Sequence, residues 1–318
     1  MSTKIIVGDC RKVLQTLDAE SVNCCVTSPP YFGLRDYGMG DQIGLEAKPD
    51  DFVGELVEVF REVRRVLRDD GTLWLNIGDS YANDGKWGGH TGGKHAAALH
   101  CSPIGRNKRY TGLKPKDLIG IPWMVAFALR NDGWYLRQDI VWHKPNPMPE
   151  SVQDRCTKAH EYVFLLSKSE RYYFDAEAVQ EESVDPKGSA ARYQSAFGGA
   201  KSEALVDANA TGVGSRTHPI GMREFDGMRN RRSVWSIATR PYRGAHFATM
   251  APELAEVCIL AGCPVGGTVL DPFGGAGTTG LVADRLHRDA TLIELNPDYA
   301  ALATTRICGD SPLFAEIS

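Results

Sequence analysis

The sequence predicts an α/β protein built on a doubly wound, mainly parallel sheet. The segment 22–27 is almost entirely apolar or β-favouring, which is typical of a strand buried on both faces of such a sheet. Residues 268–295 read as a strand, a glycine-rich turn, a helix and a second strand, the order of a parallel crossover unit. Ligands bind beyond the carboxyl ends of parallel strands. One crevice is therefore expected at the tips of the strands that end at Asp9, Thr27, Asp271 and Glu294.

The remaining elements follow from periodicity. At 51–68 apolar residues recur every three or four positions, which predicts an amphipathic helix. Alternating prolines in 143–150 remove ladder donors, so no strand is expected there. The predicted strands are 4–10, 22–27, 71–79, 134–142, 161–167 (antiparallel to the strand before it), 268–271 and 290–295, and the predicted helices are 51–68, 121–131, one ending near 261 and one from the glycine turn to about 288.

Composition limits the class of protein. The chain has 318 residues, 42% hydrophobic and 24% charged, enough for one large core with a smaller inserted module. Its apolar runs are too short to span a membrane and its N-terminus lacks a signal-peptide core, which predicts a cytoplasmic protein without a membrane partner. Eight scattered cysteines include no C-x-x-C pair, so neither a metal site nor a disulfide framework is expected. Because the net charge is −4, binding to nucleic acid would require a local basic face.

The first candidate site is the corner Ser28-Pro29-Pro30-Tyr31 that follows the strand at 22–27. Two prolines end the ladder and leave carbonyl acceptors without strand partners. The serine hydroxyl is a further acceptor, and the tyrosine ring is a stacking surface. Acceptors beside a ring suit a planar group with an exocyclic amine, such as a nucleobase. The alternative is a strand-ending turn with a packed tyrosine.

The second candidate site is Asp271-Pro272-Phe273 with the G-x-G-x-x-G pattern that ends at Gly280. These glycines allow a tight turn and close approach of the backbone to a nucleotide-like ligand. Glu294 ends the next strand and is placed to accept hydrogen bonds from ribose hydroxyls. The glycine pattern alone would also suit a nicotinamide-dependent dehydrogenase.

Together the two motifs resemble those of the DNA amino-methyltransferases, which carry D/N/S-P-P-Y and D-P-F-x-G-x-G-T. The target motif comes first and the cofactor glycines last, which resembles the circularly permuted β class of that family. The resemblance covers about 9–174 and 246–299. It implies a Rossmann-like methyltransferase sheet, S-adenosylmethionine as methyl donor, S-adenosylhomocysteine as product and flipping of the target base.

The resemblance also implies roles for particular residues. The catalytic candidates are Ser28, Pro29, Pro30 and Tyr31. The cofactor-binding candidates are Asp9, Thr249, Asp271, Pro272, Phe273, Gly275, Gly277 and Glu294. Capping of the following helix is the alternative for Asp9. Serine ahead of Pro-Pro-Tyr is commoner among the N4-cytosine enzymes of the family, so cytosine N4 is favoured over adenine N6. An inactive DNA-binding protein on the same fold is the third possibility.

Two segments are candidates for contact with double-stranded DNA. Residues 86–116 include seven Lys or Arg and no acidic residue, so a mobile loop at about 81–116 is expected to order against phosphates. The region 175–242 is rich in arginine and lacks periodicity, and it resembles a target-recognition region, the alternative being a solvated insert. The loop at 35–38 is expected close to the base pocket, and 143–150 resembles the loop that borders that pocket in the family. The candidate DNA contacts in these segments and loops are Arg35, Lys94, Arg106, Lys108, Arg109, His143, Lys144, Arg229, Arg231 and Arg232.

The predicted organisation is a catalytic half at 1–174, the target-recognition region at 175–242 and a cofactor-binding half at 243–318. The resemblance allows a cognate restriction endonuclease as a functional partner. The recognition sequence and the oligomeric state stay open at this stage.

Overall fold

The computed structural model of the chain describes residues 1–34, 36–82, 112–185, 188, 227–240, 249–310 and 316–317. The chain divides into two compact units. The larger combines Met1–Asp175 with Ser233–Ser318, and the smaller is Ala176–Arg232. No helix among these described residues is long and apolar enough to cross a membrane.

The described strands are β1 (Ser2–Val7), β2 (Val22–Thr27), β3 (Leu67–Ile77), β4 (Tyr135–His143), β5 (His160–Ser167), β6 (Glu181–Glu182), β7 (Met228–Arg229), β8 (Val234–Ser236), β9 (Thr268–Asp271), β10 (Asp289–Glu294) and β11 (Glu316–Ile317). The larger unit holds a nine-stranded sheet in the order β11-β1-β10-β9-β2-β3-β5-β4-β8. Among its described strands only β5 is antiparallel to its neighbours. In the smaller unit, β6 and β7 form an antiparallel pair. The predicted α/β fold class with a mainly parallel sheet is confirmed.

The topological switch point lies between β2 and β9. These two strands are parallel neighbours, with Cys24 opposite Val269 and Cys25 opposite Leu270. From β9 the chain continues to β10 on one side, and from β2 it continues to β3 on the other. The crossovers therefore diverge and leave a crevice beyond the carboxyl ends of the two strands, where ligands bind in open α/β sheets.

The described helices are α1 (Cys10–Val13, continued by a 3₁₀ turn at Leu14–Thr16), α2 (Pro49–Val66), α3 (Ile121–Asn131), α4 (Pro252–Gly262), α5 (Thr278–Arg285) and α6 (Pro297–Asp310). They cover both faces of the sheet. Cys25 belongs to the main hydrophobic core with residues of α2 and α3. Its neighbour Cys24 lies against Gly262 of α4, where an added Cβ would be 2.9 Å from the Cys24 sulfur. Because successive strand residues point to opposite faces, helices pack on each side.

Several element boundaries differ from the predicted ones. The helix predicted at 51–68 ends at Val66, because Leu67 already pairs with Val22 and starts β3. The helix predicted to reach about 288 ends at Arg285, and the chain reverses there with His287 at a φ of 61°.

The region predicted at 175–242 also divides differently. Residues 233–240 belong to the larger unit, since Val234 pairs with Val141 of β4 and extends the main sheet. Trp235 anchors this edge by stacking on Trp74, with ring centroids 6.2 Å apart. His143, expected outside the ladder, is the last residue of β4 and pairs with both neighbouring strands.

Candidate active site

The Ser28 corner and the glycine-rich turn meet at one edge of the sheet. Thr27, the last residue of β2, donates a hydrogen bond from Oγ1 to Oδ1 of Asp271 at 2.6 Å, across 244 residues of sequence. Both residues are buried. The bond joins the residue before Ser28 to the residue before Pro272, so the two motifs start side by side at the switch point.

Asp271 is the centre of this junction. Besides the Thr27 hydroxyl, its carboxylate accepts the Phe273 N–H at 3.0 Å and the Thr279 hydroxyl at 2.7 Å. The residue is 3% exposed, and burial raises the pKa of its carboxyl group above the ordinary value although these hydrogen bonds act to lower it. In this structure the Asp271 carboxylate contacts protein donors and holds the strand ends and the turn in place, and its contact with the cofactor stays a prediction.

The glycine-rich turn is fastened to the end of β10. Gly275 and Gly277 have φ values of 51° and 74°, in the left-handed region that favours glycine. The Gly275 N–H donates to Glu294 Oε2 at 2.8 Å, and the Asn296 N–H donates to Oε1 at 2.8 Å. Each oxygen retains acceptor capacity. Burial raises the pKa of Glu294.

Close packing explains one of these glycines further. A Cβ on Gly277 would lie 2.8 Å from the Cβ of Ala303 in α6. Gly277 thus allows α5 and α6 to approach each other closely. Phe273, at the start of the turn, is partly buried and packs on the main hydrophobic core. Pro272 is buried, and Thr249 is partly buried two residues before Ala251, the N-cap of α4.

Asp9 lies in the turn between β1 and α1. Its Oδ1 accepts the Arg11 N–H at 3.0 Å, the N-terminal capping bond of α1, and its Oδ2 pairs with the Arg11 guanidinium at 3.0 Å. Burial raises the Asp9 pKa, but the hydrogen bonds from Arg11 outweigh it and the pKa is lowered. The capping alternative is thus observed in this structure, and the adenine contact stays a prediction.

Tyr31 is held at two points. Its hydroxyl donates to Glu161 Oε2 at 2.8 Å. Its ring lies against Gly78, where an added Cβ would come 2.5 Å from the ring carbon Cε2. Burial, reinforced by the Glu161 charge, raises the Tyr31 pKa well above its ordinary value, while the Ser28 side chain interacts with the same hydroxyl and acts to lower it.

Comparison with known proteins identifies the family. The sequence profile of the family described as DNA methylase, of N6/N4 type, matches residues 22–305. The chain belongs to this family. It is a site-specific DNA amino-methyltransferase, and the predicted family membership is confirmed.

Curated relatives of this DNA methylase match nearly its whole length. The chain is 49% identical over 307 residues to the Type II methyltransferase M.SmaI of Serratia marcescens, covering 96% of this chain and 91% of that one. It is 47% identical over 303 residues to M.Cfr9I of Citrobacter freundii, covering 95% and 87%.

Solved structures share the fold of this DNA methylase. The PvuII DNA methyltransferase, described as cytosine-N4-specific, superposes with a TM-score of 0.62 at 19% identity over 96% of this chain and 87% of that one. A putative DNA modification methylase from Thermus thermophilus, complexed with S-adenosyl-L-methionine, gives 0.58 at 24% identity over 99% of each chain. At these identities the likeness establishes the fold.

Of the basic residues predicted to contact DNA, those described in this methylase are engaged with protein groups. His143 Nδ1 lies 3.0 Å from the Ser236 hydroxyl. In the smaller unit, Arg229 and Arg232 both pair with Glu181, and the Arg231 Nε donates to a backbone carbonyl at 3.1 Å. The other candidates lie outside the described residues: Arg35, Lys94, Arg106, Lys108 and Arg109.

Lys144 is also engaged with protein groups. Its ammonium pairs with Glu161 Oε1, and the Lys144 side chain is only 18% exposed. The same ammonium lies 4.3 Å from the centre of the Trp142 ring, within reach of a cation–π interaction. The ammonium therefore faces the Tyr31 side of the sheet edge, and the contact of Lys144 with DNA stays a prediction.

Glu161 was missed by the sequence reasoning. The available signal was a glutamate at the start of an otherwise apolar strand, His160–Ser167. A charged residue that is half-buried in such a position needs a partner. That pattern alone does not identify which residue the partner is.

Proposed function

We propose that this DNA methylase transfers a methyl group from S-adenosylmethionine to the exocyclic N4 of cytosine in double-stranded DNA. The observation that carries the proposal is the position of the Ser28 corner beside the glycine-rich turn, joined through Thr27 and Asp271. The target would be a base flipped out of the duplex, since the amine is inaccessible within the stack. Transfer to adenine N6 is the alternative.

The residues around the turn fit the donor. S-adenosylmethionine supplies a sulfonium methyl group that an amine can attack. Glu294 keeps acceptor capacity for ribose hydroxyls after binding Gly275 and Asn296. The left-handed glycines bring backbone close to a ligand, and Phe273 offers a partly exposed ring. We assign the adenine end to the neighbourhood of Asp9 and leave Thr249 as a candidate at the methionine end.

The chemistry asks little of this chain beyond positioning and hydrogen-bond acceptance. The Ser28 hydroxyl and the Pro29 carbonyl would accept the two amino hydrogens, and Tyr31 would stack on the ring. As the nitrogen lone pair turns from the ring toward the methyl group, its hydrogens would become better donors. The nitrogen–carbon bond would form as the sulfur–methyl bond breaks, S-adenosylhomocysteine would leave, and the nitrogen would release one proton to solvent. Preorganised acceptors therefore bind the transition state more strongly than the ground state. Pro29 and Pro30 keep the corner rigid.

Glu294 gives a test of donor binding. Glu294→Ala removes the ribose acceptor and two backbone partners, so we expect the dissociation constant for S-adenosylmethionine to rise about 10- to 100-fold, the range for charge-assisted hydrogen bonds. Glu294→Gln keeps one acceptor oxygen and should lose less. Isothermal titration calorimetry measures both, and equal affinity in wild type and Glu294→Ala would remove Glu294 from the donor site.

The choice of cytosine N4 over adenine N6 rests on Ser28, because serine at the head of the motif is commoner among N4-cytosine enzymes of the family. Mass analysis of nucleosides from DNA of cells that express the protein decides it. We expect N4-methylcytosine above the level of cells with an empty vector. N6-methyladenine in its place would establish the alternative. The absence of both methylated nucleosides would refute methyl transfer to DNA.

We further propose that the protein protects DNA from a cognate restriction endonuclease. The support is that relatives covering most of this chain are named Type II methyltransferases. DNA modified by this protein should then resist cleavage by that endonuclease.

A further inference from the structure

The single antiparallel strand among those described in the sheet brings a distant carboxylate to the active site. Because β5 runs opposite to β3, its first residues lie where β3 ends, and Tyr162 pairs with Ile77. Glu161 is the preceding residue. It therefore lies at the same edge as the Ser28 corner, although 130 residues separate it from Tyr31.

Three donors converge on the Glu161 carboxylate. The Tyr31 hydroxyl donates to Oε2 at 2.8 Å, Lys144 pairs with Oε1, and the Asn76 amide donates to Oε2 at 3.4 Å. The Glu161 side chain is 16% exposed. A carboxylate in that environment requires compensation of its charge, and Lys144, the residue directly after β4, supplies it.

The contacts fix the Tyr31 ring in two ways. Gly78 lies against one side of the ring so closely that a methyl group there would overlap with Cε2. The hydroxyl is anchored to Glu161 at the far end of the ring. A ring that is packed on one side and hydrogen-bonded through its hydroxyl has little freedom to rotate away from a stacked base.

We propose that Glu161 is a positioning residue for methyl transfer, acting through the Tyr31 hydroxyl, and that Lys144 is the counter-ion of Glu161. The inference rests on the proposed function, because it assigns Tyr31 to stacking on the target base. It assigns Lys144 to the support of the target pocket in place of a direct contact with DNA.

A set of variants tests whether Glu161 acts through the Tyr31 hydroxyl. Glu161→Leu removes the acceptor, Glu161→Gln keeps a neutral acceptor of similar size, and each is combined with Tyr31→Phe. The probe is transfer of tritiated methyl groups to unmethylated plasmid DNA. In the wild-type background we expect kcat to fall about 10-fold in Glu161→Leu and less in Glu161→Gln, with the KM for S-adenosylmethionine unchanged within about twofold.

The combined variants give the decisive comparison. If Glu161 acts through the Tyr31 hydroxyl, neither Glu161 substitution should lower kcat further in the Tyr31→Phe background. If the Glu161 and Tyr31→Phe substitutions lower kcat by factors that multiply in the combined variants, the inference is overturned. It is also overturned if the Glu161 variants have an unchanged kcat and only a lower melting temperature. Asp132→Asn is the matched control, since Asp132 is 18% exposed and pairs with Arg61 at 2.6 Å, and it should leave kcat unchanged.

The role of Lys144 is tested by the salt dependence of DNA binding. Lys144→Met should leave the slope of log binding constant against log salt equal to that of wild type, because a counter-ion releases no cations from DNA. A slope smaller in magnitude by about 0.9 would show a phosphate contact and overturn this assignment. Failure of the wild-type protein to methylate any DNA would instead refute the proposed function, so the two failures are distinguishable.

Discussion

Replacing Ser28 by alanine is expected to lower kcat for methyl transfer by about 10²- to 10³-fold, the loss measured when one preorganised polar contact to a transition state is removed. Ser28 lies directly after β2 and interacts with the Tyr31 hydroxyl. Its assigned partner is an amino hydrogen that becomes a better donor as the reaction proceeds. The substitution should therefore reduce kcat more than it weakens substrate binding.

Tyr31→Ala is expected to lower turnover similarly, because it removes the stacking surface. Single-turnover transfer to plasmid DNA measures both effects, and calorimetry should give an unchanged affinity for S-adenosylmethionine. Ser21→Ala is the matched control: Ser21 precedes β2 at its opposite end and donates to the Asp18 carbonyl at 2.7 Å. Full turnover in both Ser28→Ala and Tyr31→Ala would refute the assignment of the corner.

Asp271→Ala is expected to have the largest effect on stability. It leaves the Thr27 hydroxyl, the Thr279 hydroxyl and the Phe273 N–H without their acceptor in a buried site. We expect the free energy of unfolding to fall by about 2–4 kcal/mol, since each unsatisfied buried group costs about 1–3 kcal/mol and some will find other partners. Asp271→Asn keeps one oxygen for Thr27 and Phe273 and should stay within about 1 kcal/mol of wild type.

The pH dependence separates charge from geometry at this position. The Asp271 pKa is raised on folding above the ordinary value of 3.8, so its contribution to stability is present below 3.8 and is lost as pH rises through the folded pKa. Asparagine does not titrate. The stability of Asp271→Asn relative to wild type should thus increase with pH above 3.8, measured by denaturant unfolding. A difference that is constant with pH would contradict the buried-charge account.

Much of the fold was predictable because its strands carry a local signal. The segment 22–27 is apolar enough to identify a buried strand, and the glycine pattern located the turn after β9. The start of β3 was not predictable, since the charged residues 68–70 extend the helical pattern. Only the pairing of Leu67 with Val22 ends the helix, and that pairing is a tertiary contact.

In the candidate site, too, some features have a local sequence signal and others depend on tertiary pairing. Motifs predicted the Ser28 corner, the glycine turn and Glu294 as candidate site residues, because each has a short sequence pattern. The inward position of Lys144 and the presence of Glu161 depend on the pairing of β4 with β5 and of β5 with β3. No local pattern encodes which residues such pairings bring together, so these contacts had to come from the structure.

A crystal structure of the protein with S-adenosylmethionine tests the central claim most directly. The account predicts that the ribose hydroxyls bind Glu294 and that the sulfonium methyl group faces the Ser28 hydroxyl across the β2–β9 crevice. A methyl group pointing away from Ser28, or a donor bound elsewhere on the sheet, would contradict it.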